Sequence, residues 1–250
     1  MTHHTRCPLC GEELMKNVNL KAYLGNYQLS IWECLECVLA FQRPQPTTQQ
    51  SIDYMNWRYS STDPQDVYIT DGVEKLRISG ERLRWLRGFK TPNKRILDAG
   101  AGSGAFISAS LDAGYEALGF DFCPEAVALA KKMFNVDLIL GSIDAIPNPS
   151  NYGVVTLWDV IEHVDNPAKM LLNAYTRMEK GGLLVLETCN WDSPHRREKG
   201  DAWSYYLYNH LYYFSQKSLK AILTRGGYVD IRFHRNRNRD ILIATARRGE

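Results

Sequence analysis

The sequence predicts an α/β protein: a doubly wound, mostly parallel sheet, preceded by a small metal-stabilised module. Three observations predict it. From about residue 95, short apolar runs alternate with amphipathic ones. The first of these runs opens into a glycine-rich stretch, LDAGAGSGAF (97–106). Two C-x-x-C pairs, Cys7/Cys10 and Cys34/Cys37, stand near the start.

In chain order, residues 1–42 hold the paired cysteines, and KAYLGNYQLSIWEC (21–34) reads as strands around Gly25-Asn26. RPQPTTQQSI (43–52) is polar with two prolines and reads as a linker; residues 43–69 are expected to be linker and the start of cap helices. Residues 70–250 form the main domain. Between 71 and 88, Val73, Leu76, Leu83 and Leu86 recur at helical spacing among charges. RILDAG (95–100) is a strand, and GAFISASLDAG (104–114) a helix closed by Gly114. EALGFD (116–121) is a second strand, and Pro124 opens a second crossover helix from its first turn. VDLILG (136–141) and YGVVTLWD (152–159) are further strands. Asn166-Pro167 caps the helix AKMLLNAYTRM, and LLVLET (183–188) is a fifth strand after the turn Gly181-Gly182. Ser215 caps QKSLKAILTRG. YVDIRFH and DILIATA flank the loop RNRNRD (235–240) as an antiparallel hairpin. Right-handed crossovers between the earlier strands give the parallel sheet.

Composition narrows the function. The 250 residues, 44% hydrophobic, suit one sizeable core with a small appendage. A net charge of +2 offers no strongly basic face of the kind that marks a nucleic-acid binder. No apolar run approaches the ~20 residues of a membrane span. The first ten residues lack an apolar signal core, so a cytoplasmic location with reduced thiols is expected.

Gly100, Gly102 and Gly104 let the backbone turn tightly and approach a ligand, and the following helix offers free N–H groups to an anion. Asp121 ends the next strand, where an acid can accept hydrogen bonds from both ribose hydroxyls of an adenosine. The loop also fits G-x-G-x-x-A with Ala105, which keeps a dinucleotide cofactor as a rival.

Asp98 before the loop, the Gly100-x-Gly102-x-Gly104 spacing, Asp121, WDVIEHVDNP (158–167), MEKGGLLVLET and HLYYFSQKSLKAILTRGGY together resemble the class I S-adenosylmethionine-dependent methyltransferases, over roughly 70–243. The resemblance is nearest to the subgroup with ubiquinone-type O-methyltransferases and sugar and natural-product enzymes. It implies a Rossmann-like seven-stranded sheet with an antiparallel C-terminal hairpin. It also implies that the loop glycines line the methionine portion of S-adenosylmethionine and that Asp98 orients the loop or reaches the methionine amine. Asp121 would hold the ribose, with Phe122 beside the adenine, which the segment 141–147 would hold through Ile143 and neighbouring backbone. Many relatives carry an acid directly after the glycine that opens GSIDAIP (141–147). This chain has Ser142 there and Asp144 two positions on, so either is a candidate for the adenine amine. Asp159, at the end of the fourth strand, would face the cofactor or steer the substrate.

Each C-x-x-C forms a knuckle presenting two thiolates, and two knuckles complete a tetrahedron around Zn(2+). Such a closed Cys7/Cys10/Cys34/Cys37 site has no open position and is structural, stabilising a module too small for its own core. This predicts an N-terminal zinc ribbon.

Methyl transfer requires aligning the acceptor and, for most acceptors, removing a proton. The insertion NWDSPHRREKGDAWSYYLYNHLYYFS (190–215) supplies candidate substrate residues Asn190, Trp191, His195, Arg197, Trp203, Tyr206 and Tyr208, although packing explains most of its tyrosines. His210 is the leading catalytic candidate, because LYNHLYYFS resembles a sugar C-methyltransferase segment whose histidine is a general base; Asn209 stands where that segment has glutamate. His163 is the second candidate, with a structural role near a helix start as the alternative. The expected function is methyl transfer to a small-molecule acceptor, most readily at a hydroxyl oxygen. Transfer to carbon or nitrogen, RNA methylation docked by the ribbon, a dinucleotide oxidoreductase and a non-catalytic scaffold are the alternatives. Oligomeric state is not legible.

Overall fold

The computed structural model describes residues 5–18, 20, 23–24, 27–60, 72–146 and 151–249. The expected turn at Gly25-Asn26 and residues 61–69 of the expected linker lie outside these. The N-terminal part forms β1 (Met15–Asn17), β2 (Tyr23–Leu24), β3 (Tyr27–Gln28), β4 (Ile31–Cys34) and β5 (Ala40–Gln42). Helices α1 (Thr48–Ser60) and α2 (Gly72–Leu86) follow. Then come β6 (Arg95–Ala99), α3 (Ala105–Asp112), β7 (Glu116–Asp121), α4 (Pro124–Phe134), β8 (Ile139–Leu140) and β9 (Tyr152–Trp158). The chain continues through α5 (Pro167–Arg177), β10 (Met178–Cys189), α6 (Pro194–Lys199), β11 (Tyr212–Tyr213), α7 (Gln216–Arg225), β12 (Tyr228–His234) and β13 (Ile241–Arg248).

Seven strands form one sheet in the order β12-β13-β10-β9-β6-β7-β8. β6 pairs in parallel with β7 and β9, and β7 with β8. β12 and β13 are neighbours joined by residues 235–240, too short a connection for a parallel crossover, so they form the expected antiparallel hairpin. β13 lies between β10 and β12. An all-parallel dinucleotide-binding sheet adds its sixth strand directly beside the fifth, so this order separates the two rival folds.

Two compact units are present. One comprises Met1–Ser51, Asp159–Leu172 and Leu186–Ala246; the other Ile52–Trp158, Asn173–Val185 and Arg247–Glu250. These units cut across the sequence boundaries at residues 42 and 69. The reason lies in the first unit, where β11 pairs with β5 in a sheet ordered β1-β4-β5-β11, with Tyr212 opposite Phe41 and Tyr213 opposite Ala40. The ribbon strands thus share a sheet with the aromatic segment 207–215. Their common core contains Leu29, Ile31, Ala40, Cys189, Trp191, Trp203, Tyr206 and Tyr213.

In the second unit, Leu83, Leu86, Ile96, Phe106, Val154, Trp158, Leu183 and Val185 form the main cluster. Ile107, Ala130, Val136 and Leu138 form another.

Several elements differ from expectation. The stretch 43–52 is tied down: α1 begins at Thr48, within the 43–69 span expected to start the cap helices, and Gln45, like Gln42 just before the stretch, is buried. Gln42 Nε2 donates to the carbonyls of Leu207, Tyr208 and His210, and Gln45 Nε2 to that of Leu211. Polarity here serves buried hydrogen bonding rather than solvation. On α2, Leu83 and Leu86 are buried but Val73 and Leu76 are exposed. The strand expected over 136–141 shrinks to β8, because Val136 and Leu138 are held by core packing outside the ladder. β10 runs through Gly181-Gly182, with Gly181 at φ 70°, a local kink rather than a chain reversal. Asn166 and Ser215 cap as expected: Asn166 Oδ1 accepts from the Lys169 N–H, and Ser215 forms a capping box with Ser218.

Candidate active site

The parallel register of β6 with β7 and β9 sets Asp98 opposite Gly119 and Thr156. The sheet switches direction of travel between β6 and β9, the position where open α/β sheets bind ligands. Asp98 is 2% exposed and accepts from Thr156 Oγ1 at 2.6 Å. Burial pushes its carboxyl up to about 7, against the lowering effects of Thr156 and the Arg82 cation. Arg82 itself lies over the Trp158 ring, 4.4 Å from its centroid.

Gly100, Gly102 and Gly104 all have left-handed backbones. At Gly104, with φ 75°, a Cβ would also meet the Ala130 Cβ at 2.9 Å. That small-on-small contact lets α4 approach the loop. Gly104 caps α3 without any side-chain hydrogen bond, so no side chain competes for its first N–H groups. Asp121 is held at both oxygens: Oδ2 accepts from the Gly102 N–H and Oδ1 from the Cys123 N–H, each at 2.9 Å. Each oxygen retains a lone pair for a ribose hydroxyl. Burial raises the Asp121 pKa, opposed by these backbone bonds.

Phe122 is 40% exposed beside this acid, free to present a ring face. Ile143 is buried in the short turn after β8, and Ser142 Oγ caps that turn by accepting from the Asp144 N–H. Asp144 Oδ1 accepts from Asn173 Nδ2 at 2.8 Å, which occupies one oxygen of that candidate. The sequence reading missed three contributors. A Cβ at Gly102 would sit 3.1 Å from the Tyr59 hydroxyl, and Asn56 Oδ1 accepts from the Cys123 thiol, so α1 reaches the loop through both residues. Arg82 was unforeseen because its role depends on the helix α2 facing Asp98. The run YMNWRYS in α1 was the available signal.

In the other unit, Asp159 adopts φ 56°, uncommon for a residue with a side chain, and its N–H donates to the Glu187 carbonyl. Glu162, His163 and His210 each offer a donor atom within 4.8 Å of the others, a set able to hold a divalent cation. Glu162 is 1% exposed; its Oε2 has no hydrogen-bond partner among the described residues, and burial with Asp159 nearby raises its pKa well above the carboxylate range. His163 Nδ1 lies 2.8 Å from the Asn209 carbonyl, and burial pushes its pKa down to about 4. That is the backbone-bonded arrangement of a structural histidine. His210 is 4% exposed, with Nδ1 at 3.7 Å from Cys189 Sγ; burial, then His163, lowers its pKa well below the ordinary value. Both imidazoles are therefore held neutral.

Trp191, Trp203 and Tyr206, expected to line a substrate pocket, are core residues. Trp191 Nε1 donates to Glu33 Oε2. Their large rings fill the seam between ribbon strands and insertion, which is why they are inaccessible. Asn190 stays partly exposed, donating to the Asp240 and Arg239 carbonyls. Tyr208 is half-buried, and His195 and Arg197 are exposed.

The four ribbon thiols converge. Cys7 and Cys37 sulfurs are 3.6 Å apart, Cys10 and Cys34 sulfurs 3.5 Å, and none is in a disulfide. A tetrahedral zinc with bonds of about 2.3 Å has sulfur–sulfur edges of about 3.8 Å, so the set fits. Each knuckle ends in a left-handed residue, Gly11 at φ 80° and Val38 at φ 59°. The N–H groups of those residues close the turns onto the Cys7 and Cys34 carbonyls.

The glycine loop, the fixed Asp121 and the inserted antiparallel strand define a class I S-adenosylmethionine-dependent methyltransferase fold. Residues 74–232 match the methyltransferase domain family, and the chain belongs to it. It is 33% identical over 155 residues to the mitochondrial ubiquinone biosynthesis O-methyltransferase of Candida albicans, covering 55% of this chain and 47% of that protein. To the corresponding Schizosaccharomyces pombe protein it is 32% identical over 103 residues, 38% of each. The chain thus spans half or less of the length of these curated relatives. Among solved structures, it resembles Burkholderia thailandensis 1,6-didemethyltoxoflavin-N1-methyltransferase, which was determined with 1,6-didemethyltoxoflavin and S-adenosylhomocysteine. The TM-score is 0.59 at 16% identity, over 92% of this chain and 100% of that one. A methyltransferase from Archaeoglobus fulgidus gives 0.56 at 18% identity, over 69% and 94%. These structural likenesses are likenesses of fold.

Proposed function

We propose that the chain transfers the methyl group of S-adenosylmethionine to a hydroxyl oxygen of a small molecule. The observation that carries this reading is the doubly held Asp121 beside the open N-terminus of α3, with buried Asp98 one strand away. Asp121 would bind the ribose, Asp98 and the loop glycines the methionine end, and Phe122, Ile143 and Ser142 or Asp144 the adenine. Bound there, the cofactor supplies an electrophilic methyl group. The likeness to ubiquinone biosynthesis O-methyltransferases supports oxygen as the acceptor atom, and a sugar or natural-product hydroxyl is the acceptor class. The net charge of +2 speaks for a small acceptor over RNA.

In this reading Cys7, Cys10, Cys34 and Cys37 hold a structural zinc, and residues 1–42 are a ribbon that braces the acceptor-side segment. His210 belongs to that side as a buried neutral imidazole. Among the described residues no helix is long and apolar enough to cross a membrane. Calorimetry with S-adenosylmethionine and S-adenosylhomocysteine, followed by labelled-methyl transfer to catechol, phenol, amine and sugar panels, tests the proposal. Binding of both ligands with transfer to hydroxyl acceptors is expected. Tight binding of a nicotinamide dinucleotide instead, or transfer confined to amines or RNA, would overturn it.

A further inference from the structure

We infer that Tyr59 of α1 is a cofactor-binding residue whose hydroxyl donates to the carboxylate at the methionine end of S-adenosylmethionine. This rests on the cofactor reading above. Asn56, Tyr59, the glycine loop, Asp98, Asp121 and Cys123 all belong to one compact unit.

The cue is where α1 meets the loop. Asp121 is clamped by two N–H groups, that of Gly102 at Oδ2 and that of Cys123 at Oδ1. The helix touches the same two residues. A Cβ on Gly102 would lie 3.1 Å from the Tyr59 hydroxyl, and the Cys123 thiol donates to Asn56 Oδ1 at 3.1 Å. Asn56 and Tyr59 are three positions apart and share one face of α1, whereas Trp57 between them is 63% exposed. One face of the helix therefore spans both ends of the Asp121 clamp. Gly102 is left-handed at φ 53°, and its bare α-carbon is what lets a phenol come down onto the turn.

The polar groups around the loop divide the cofactor among them by chemistry. Asp121 and Asp98 are acids, suited to the ribose hydroxyls and to the methionine ammonium. The carboxylate is the cofactor's one anionic group, and it needs donors rather than acceptors. The loop offers it the first N–H groups of α3, which the Gly104 cap leaves without a side-chain partner. The Tyr59 O–H, standing over Gly102 in the same turn, adds a donor that carries no charge of its own to be desolvated. A tyrosine that only packed against the loop would be replaced by phenylalanine without loss. One that donates to an anion would not.

The test uses the full chain and its Tyr59→Phe and Trp57→Ala variants. Calorimetry compares S-adenosylhomocysteine with S-adenosyl-3-thiopropylamine, the same molecule without its carboxylate. Tyr59→Phe keeps the ring and is expected to melt with wild type. It should bind S-adenosylhomocysteine about 10-fold or more weakly, the size of a lost bond to a charged group. Its affinity for the thiopropylamine should match wild type, as should both affinities of Trp57→Ala. Amide exchange over residues 52–60 should slow when S-adenosylhomocysteine is added to wild type, and slow less in Tyr59→Phe. Unchanged S-adenosylhomocysteine affinity in Tyr59→Phe, equal losses on the two ligands, an equal loss in Trp57→Ala, or no slowing of exchange would each overturn the inference while leaving the cofactor reading intact. A wild type that binds neither ligand would overturn the cofactor reading and this inference with it.

Discussion

The imidazoles of His163 and His210 meet edge to face, 4.7 Å between ring centroids, beside the buried carboxyl of Glu162. A histidine depressed to about 4 when folded contributes stability that is present above its unfolded pKa, roughly 6.5, and lost as pH falls toward 4. The His163 share is about 3 kcal/mol across that window. Glu162 has the opposite sign: its raised pKa gives stability below the ordinary carboxylate range that is lost as pH rises. Urea midpoints measured from pH 4 to 8 should therefore show a smaller acid-side loss in His163→Gln than in wild type. Glu162→Gln should gain stability at pH 8 and lose that advantage at pH 4. Parallel pH curves for wild type and both variants would contradict the assignment.

Asp98 presents a trade between stability and binding. Its carboxyl, pushed up to about 7 by burial, contributes stability fully below the unfolded carboxylate pKa, and this is lost as pH rises through about 7. Asp98→Asn keeps the shape and can still meet Thr156. At pH 8 the variant is expected to melt higher than wild type while binding S-adenosylmethionine at least ~10-fold more weakly, since a charge-assisted bond to the methionine amine is lost. Thermal melts and calorimetry on the same samples check both halves.

Gly104→Ala adds one methyl group at φ 75°, against the Ala130 Cβ at 2.9 Å. The left-handed penalty is about 1–2 kcal/mol, and Ala130 has no rotamer with which to retreat. Lower stability and loss of cofactor binding are expected together. Gly114→Ala is the control: φ is 77° but nothing lies within 4 Å of the added carbon, so stability falls while cofactor affinity holds.

Zinc content should be one per chain by elemental analysis, falling to background in Cys34→Ser. Because β4 carries Cys34 and β5 carries the partners of Tyr212 and Tyr213, loss of the metal should loosen β11 as well as the ribbon. Hydrogen exchange in chelator-treated protein should rise over residues 40–42 and 207–213. Protection retained at 207–213 after metal loss would show that the ribbon does not brace that segment.

Much of the fold was legible because its signals are local. β7 and α4 are read to the residue from an apolar run ending in an acid and a proline at the first helical turn. The glycine loop, Asp121 and the four cysteines are picked out by their spacing, and Asp98 by the family resemblance. Trp191, Trp203 and Tyr206 were less legible, since an aromatic-rich insertion reads alike whether it lines a pocket or fills a seam. Gln45 looked like linker polarity and Gln42, in the ribbon zone, gave no signal; only the carbonyls they meet explain their burial.

By itself, then, the sequence determined the sheet and crossover helices, the cofactor loop and the thiol set, because each depends on periodicity or on residues a few positions apart. Only the tertiary structure decided which histidines are enclosed and which stands exposed. His210 and His163 lie in a low-dielectric cluster assembled from segments 46 residues apart, whereas His195 meets a buried acid 45 residues away on the hairpin. Protonation is governed by such through-space neighbours, which no local pattern in the chain records.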